Sequence, residues 1–194
     1  LLRPYFPFPV VLNGLFELVY KLFNIRIREK KIPNIWHEDV QYYECFDSNN
    51  QLFASFYIDP YSRPNEKSGG AWMDEVVTRA QLSDGSIRLP AAYLICNQSP
   101  PVDGKPSLMT FQEVSTLFHE FGHVSQHLFT QINDSFVSGI RGVEWDAVEL
   151  ASQFLENFTY HQSTLQQLSK HIDTKETLPN ELYEKIMNAK HFMA

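Results

Sequence analysis

The chain has 194 residues, 43% of them hydrophobic, and a formal net charge of −7 from 16 basic and 23 acidic side chains. That length and apolar content suffice to bury a core and exclude a disordered chain, while the acidic balance argues against a nucleic-acid partner held through a basic surface. Cys45 and Cys96 lie far apart and form neither a CxxC pair nor a disulfide framework, so a reduced compartment is expected.

The uncharged run from Pro4 to Phe16 is interrupted by Pro7 and Pro9. It is too short and broken to span a bilayer and lacks the features of a secretory signal, so no membrane partner is expected. The first residue is Leu1 rather than Met, and a piece of a longer protein is the expectation. Val11, Leu12, Leu15, Phe16, Leu18, Val19, Leu22 and Phe23 recur at helical spacing and predict a helix over 10–23. Ile25 to Arg28 alternates at period two, and Val40–Phe46 and Leu52–Ile58 read as a hairpin around Asp47-Ser48-Asn49-Asn50. After a surface loop from Pro60 to Gly70, a second strand pair is predicted at Trp72–Ala80 and Ile87–Asn97, joined by the turn Leu82 to Ser86. Pro90 would place the later of these strands at the sheet edge. Thr110-Phe111-Gln112-Glu113 has the form of a capping box and opens a helix with apolar positions Val114, Leu117, Phe118, Phe121 and Leu128. A second helix is predicted from about Asp146 to Lys170, and Pro179 starts a third toward His191.

The chemistry lies in His119-Glu120-Phe121-Gly122-His123, an HExxH sequence. Residues four apart share one face of a helix, so both imidazoles can reach one metal ion. Zinc suits them: it accepts nitrogen at roughly 2.0–2.1 Å and, in catalytic sites, takes three protein ligands plus a water whose pKa falls to about 7. Glu120 is placed to take the proton of that water and pass it to a leaving amine. Gly122 costs about 1 kcal/mol against Ala inside a helix, so it calls for a close approach by another backbone or by substrate. His127 lies at a different level of the helix, and His37, His161, His171 and His191 have no partner at ligand spacing, so a surface or structural role is assigned to each. Trp36, Trp72 and Trp145 are read as core. The third ligand is open among Asp134, Glu144, Asp146, Glu149 and Glu156. Glu149 shares a polar face with Ser152, Gln153 and Glu156, but Asp146-Ala147-Val148-Glu149 also has the spacing of a capping box.

Several ordered blocks together carry a family resemblance. They are Leu2 to Phe6, Gly69 to Asp74, Asn97 to Pro101 with Lys105 to Leu108, Leu117 to His123, Gly142 to Leu150, and Ser152 to Phe154. On these the chain resembles the thimet oligopeptidase and oligopeptidase A family of zinc peptidases, on the oligopeptidase A side. The resemblance implies His119, His123 and Glu149 as ligands of one zinc ion per chain and Glu120 as general base. It implies an α+β fold, a mainly helical zincin-type core with a small β-sheet beside the HExxH helix, and a monomer acting on short peptides. The strand Leu89 to Asn97 would be the edge on which a peptide lies by β-augmentation. The whole of 1–194 would be a catalytic-core fragment, with a helix-and-sheet part over 1–109 and a zinc-binding helical part over 110–194. A cytoplasmic location is expected, or an organellar matrix or stroma in a eukaryote. Ala151 stands where the family usually has Pro, and Phe158 where Trp is common. No counterpart of the family's Gly-rich segment, whose Tyr and His groups stabilise the tetrahedral intermediate, is recognised before Ala194, so little activity is expected of the piece alone. Should Glu149 be the ligand, Phe118, Phe121, Val148 and Phe154 would pack its helix against the HExxH helix, leaving Glu144 and Glu156 farther from the histidines.

Overall fold

In the computed structural model, which describes residues 2–192 and side chains as far as 190, the first apolar stripe becomes helix α1, Phe8–Phe23. Pro9 lies in its first turn, where a missing N–H breaks no intrahelical bond. Val11, Leu12, Leu15, Leu18 and Val19 are buried along one face, and Asn24 closes the helix in the left-handed conformation (φ 55°).

Seven strands follow: β1 Arg26–Glu29, β2 Gln41–Phe46, β3 Leu52–Tyr61, β4 Trp72–Val77, β5 Ala80–Gln81, β6 Ile87–Arg88 and β7 Ala91–Gln98. Five form one mixed sheet in the order β1-β2-β3-β7-β4, and β5 pairs with β6 alone. The β2–β3 hairpin turns where the sequence places it. The Asp47 carboxylate accepts from the amides of Asn49 and Gln51 at 2.9 and 2.8 Å, and Asn50 takes the positive φ the turn requires.

The expectation for the strand after Pro90 is overturned. β7 is an interior strand, parallel to β3 and antiparallel to β4. Pro90 stands just before it, so its missing N–H removes no ladder bond, and its carbonyl accepts from Ser55 N–H at 3.2 Å. The alternate side chains Ala92, Leu94 and Cys96 are buried. On this side the sheet ends at β4, which pairs with no further strand among the described residues.

Helix α2, Phe111–Leu128, carries the HExxH motif across the sheet. Its capping box is formed in both directions: Glu113 N–H donates to Thr110 Oγ1 (3.1 Å) and Thr110 N–H to Glu113 Oε2 (2.6 Å). Val114, Leu117, Phe118, Phe121, Val124 and Leu128 are fully buried, and the Phe121 ring meets Phe56 edge-on.

The long helix predicted after Asp146 is three pieces: α3 Leu150–Asn157, a 3-10 turn Phe158–Tyr160, and α4 Gln162–Leu168. The buried Thr159 hydroxyl donates to the Glu156 carbonyl (2.7 Å) and meets Ser115 Oγ (3.3 Å), a side-chain competitor for the helix's own bond, and His161 is extended (ψ 125°). Helix α5, Asn180–Phe192, begins after Pro179. The tryptophans are not core: Trp145 is 91% and Trp36 50% exposed, Trp72 is half-buried, and Phe154 also faces out. Trp36 keeps its indole N–H on the Asp59 carboxylate (3.1 Å) while its ring leans on Tyr57 and Tyr93 at the surface. No helix among the described residues is long and apolar enough to cross a membrane.

Gly122 has its reason here. A Cβ at this position would lie 2.4 Å from Ser152 Cα and 2.5 Å from the Ala151 carbonyl oxygen, so the backbones of α2 and α3 touch where α2 has no side chain. Gly122→Ala should therefore lower the melting temperature by the equivalent of about 1–3 kcal/mol of overpacking, despite the roughly 1 kcal/mol that Ala gains in an open helix. A thermal melt of the metal-free protein checks this, and a stabilised variant would refute the contact.

Candidate metal centre

The contact at Gly122 aligns the start of α3 with the HExxH turn of α2. Glu149 is the residue immediately before α3, and its Oε2 lies 3.1 Å from His119 Nε2 and 3.3 Å from His123 Nε2. One ligand atom from each of the three residues falls within 4.8 Å of the others. Two imidazole nitrogens and a carboxylate oxygen are the donor set that a borderline-soft divalent cation takes, and tetrahedral bonds of about 2.0–2.2 Å would space ligand atoms roughly 3.3–3.5 Å apart. The donors fit such an ion. Helix α3 starts at Leu150 with Glu149 as its N-cap residue, so Glu149 is not the third residue of a helix capped at Asp146, and its side chain makes no capping hydrogen bond. Instead, Ser152 Oγ donates to its Oε2 at 2.6 Å.

Electrostatics in the site divide the groups by task. Burial lowers the pKa of His123, favouring the neutral imidazole, against the opposing pull of Glu149. Glu149 is held below the ordinary carboxylate range by the Ser152 hydroxyl, which outweighs its partial desolvation, with both histidines adding to the shift. Glu120 moves the other way. Burial raises its pKa, and the nearby Glu149 adds to the rise while His119 and the Met73 amide of β4 oppose it. A carboxylate tuned upward beside a metal-type donor set is suited to exchanging protons.

Two expectations about the surroundings need correction. Glu156 is not remote: its Oε2 lies 2.9 Å from His119 Nδ1, nearer that ring than Glu149 is, because seven residues of near-helical backbone return it to the same face. Phe154 is 48% exposed and is not a wedge between the helices, whose backbones meet at Gly122, while Phe118, Phe121 and Leu155 are buried in the common core. Glu144 is exposed and forms no ion pair with either histidine among the described residues. Ser152 and Glu156 were legible as a polar face but not as partners of Glu149 and His119, since which nitrogen they meet depends on the crossing of two helices.

The remaining histidines have structural work. His127 is fully buried, its Nε2 3.0 Å from the Val77 carbonyl of β4 and its Nδ1 facing the Ile140 amide. It ties the end of β4 and the loop at Gly139 to α2. His37 and His171 accept from amides of their own turns, and His161 meets Ser163. The side chain of His191 lies outside the described residues. Cys45 and Cys96 are buried and free, and burial pushes the Cys96 thiol up to about 12, so neither is a nucleophile.

The model of peptidase family M3 matches residues 1–194. The chain belongs to that family. It is 53% identical over 197 residues to organellar oligopeptidase A, chloroplastic/mitochondrial, of Arabidopsis thaliana, covering all of this chain and 25% of that protein. To oligopeptidase A of Escherichia coli it is 51% identical over 193 residues, again covering all of this chain and 28% of the relative. Dipeptidyl carboxypeptidase of Escherichia coli is 36% identical over 192 residues, spanning 98% of this chain and 28% of the relative. This M3 chain thus spans about a quarter of the length of the curated relatives it matches.

The raised pKa of Glu120 has a stability consequence in the metal-free protein. An unfolded Glu titrates near about 4.3, so folding disfavours the charged form; that contribution is favourable below pH ~4 and is lost as the pH rises through the raised value. Glu120→Gln should melt higher than the parent protein at pH 7, with the gap closing below about pH 4. Melting curves across that range check the sign, and a gap that widens on acidification would contradict it.

Proposed function

We propose that this chain is the catalytic core of a zinc-dependent peptidase that hydrolyses short oligopeptides. The reading is carried by the convergence of His119 Nε2, His123 Nε2 and Glu149 Oε2, on a chain that belongs to peptidase family M3. These three residues would hold the ion, making this a zincin-type core. When bound, zinc supplies a Lewis acid that polarises a carbonyl and brings the pKa of a water toward about 7. Glu120, half-buried and tuned upward, takes the proton of the attacking water on its carboxylate and returns it to the leaving amine.

Substrate placement is assigned to β4 rather than to the strand after Pro90. The outer edge of β4 pairs with no strand among the described residues, and its Met73 amide lies near Glu120. A peptide added there would make main-chain hydrogen bonds that are indifferent to side-chain identity, as befits a broad oligopeptide substrate class. Arg141, paired with Glu75, and His127, at the Val77 carbonyl, steady the far half of that strand. In this reading residues 1–109 supply the substrate edge and 110–194 the metal ligands. The exposed Trp145, Leu150 and Phe136 are assigned to packing against further parts of a longer protein. Its compartment is read as cytoplasmic or an organellar interior, following relatives named as cytosolic and as organellar enzymes and the two free thiols of this chain.

Two substitutions in the intact protein test the assignment. Glu149→Ala should strip zinc, whereas loss of a mere cap would cost about 0.5–2 kcal/mol of helix stability and leave metal content unchanged. Glu120→Gln should keep full zinc and lose peptide hydrolysis, because the amide keeps the shape but cannot take the proton. Elemental analysis and turnover of a short peptide read both outcomes. Full zinc in Glu149→Ala would sink the ligand set, and full activity in Glu120→Gln would sink the base.

A further inference from the structure

The turn that leads into β4 is held from inside the sheet. Continuing the β4–β7 register outward from the Trp72–Ile95 pair sets Gly70 opposite Asn97. β4 has not yet begun there, and the Asn97 side chain takes the place of the missing ladder. Its amide nitrogen donates to the Ser68 carbonyl at 2.7 Å and to the Gly70 carbonyl at 2.6 Å, so both of its hydrogens are used. The segment before the turn is anchored as well. The Lys67 ammonium, almost wholly buried, donates to the Asp59 carboxylate and to the carbonyls of Asp59 and Tyr61. Gly70 takes φ 92°, which disfavours any residue with a Cβ, although a Cβ there would meet nothing within 4 Å.

A trans peptide is planar, with its C=O and N–H pointing in opposite directions. Holding the Gly70 carbonyl toward β7 therefore turns the Ala71 N–H away from β7, to the open side of β4. That N–H donates to no backbone acceptor among the described residues. Alternate residues of a strand point their amides to the same side, and Met73, two residues on, has its amide at Glu120. We propose that Asn97 is a positioning residue for peptide binding: by fixing the Gly70–Ala71 peptide plane it presents the Ala71 N–H as a main-chain donor to a bound peptide. The proposal rests on the reading of β4 as the substrate edge and deepens it, because it extends that edge past the first residue of the strand. The Ala71 donor touches no reacting atom, so it contributes to binding equally in the ground and transition states.

The test uses the intact protein and fluorogenic peptides that share one cleavage site and are lengthened one residue at a time at either end. Asn97→Asp keeps the shape of the side chain but offers a carboxylate to two carbonyls, and Gly70→Ala disturbs the same peptide plane through φ alone. Both variants should raise KM by about 3–10-fold, the worth of one main-chain hydrogen bond, for peptides long enough to reach Ala71, with kcat kept. The shortest peptides should be cleaved as by the parent. Gly69→Ala, where φ is not positive and the space is open, should track the parent at every length. Parental KM for the longest peptides in both Asn97→Asp and Gly70→Ala overturns the proposal. So does an equal loss at every length or a fall in kcat, since either marks a displaced β4 rather than one lost contact. Met73→Pro removes the neighbouring donor and should impair every peptide. Parental kinetics in that variant would instead overturn the reading of β4 as the substrate edge.

Discussion

The site depends on one close contact, the backbone of α3 lying on α2 at Gly122. A Cβ there would be driven into the Ser152 Cα and the Ala151 carbonyl, so only glycine lets the two helices meet at this point. The contact sets the start of α3 opposite the HExxH turn, and the distances from Glu149 and Glu156 to the histidines of α2 depend on it. Glu149 reaches both histidines because it immediately precedes α3, and Glu156 returns to His119 because the near-helical spacing restores the same face two turns later. The intrinsic cost of glycine in a helix, about 1 kcal/mol, is small beside the misplacement of a ligand helix.

The sheet makes the other half of the arrangement. α2 crosses β7 and β4 with Phe121 set against Phe56, so the face of α2 away from the core carries His119, Glu120 and His123 beside the edge strand. Glu120 sits between these two surroundings, deep enough for burial to lift its pKa yet close to the Met73 amide of β4. Its environment and that of Glu149 shift two neighbouring carboxylates in opposite directions, burial raising the pKa of Glu120 and the Ser152 hydroxyl lowering that of Glu149. That separation is achieved by exposure and one hydroxyl, since Ser152 bonds to Glu149 while Glu120 has no such donor side chain among the described residues.

Local features were readable from the sequence where the physics is local. The Thr110–Glu113 capping box, the Asp47 turn and the α1 stripe each depend on residues a few positions apart, and each forms as its pattern implies. The placing of His119 and His123 on one helix face is of the same kind, since four-residue spacing on a helix needs no tertiary knowledge. What failed was non-local. Pro90 as an edge marker gave way to a β7 that starts just after it, and a continuous helix from Asp146 gave way to a chain broken where Thr159 binds back and His161 extends. Glu156 as a neighbour of His119 was hidden for a similar reason, because helix crossing decides which polar residue of a face meets which ring atom. Trp145, expected in the core, lies almost wholly exposed on a chain that spans about a quarter of the length of its relatives.

The central claim is that His119, His123 and Glu149 hold one zinc ion. The most direct measurement is anomalous diffraction collected on either side of the zinc absorption edge from crystals of the intact protein. The account predicts one anomalous peak within roughly 2.0–2.2 Å of both Nε2 atoms and a Glu149 carboxylate oxygen. A zinc-replete crystal with no peak between these three residues, or with its peak on other side chains, would contradict it.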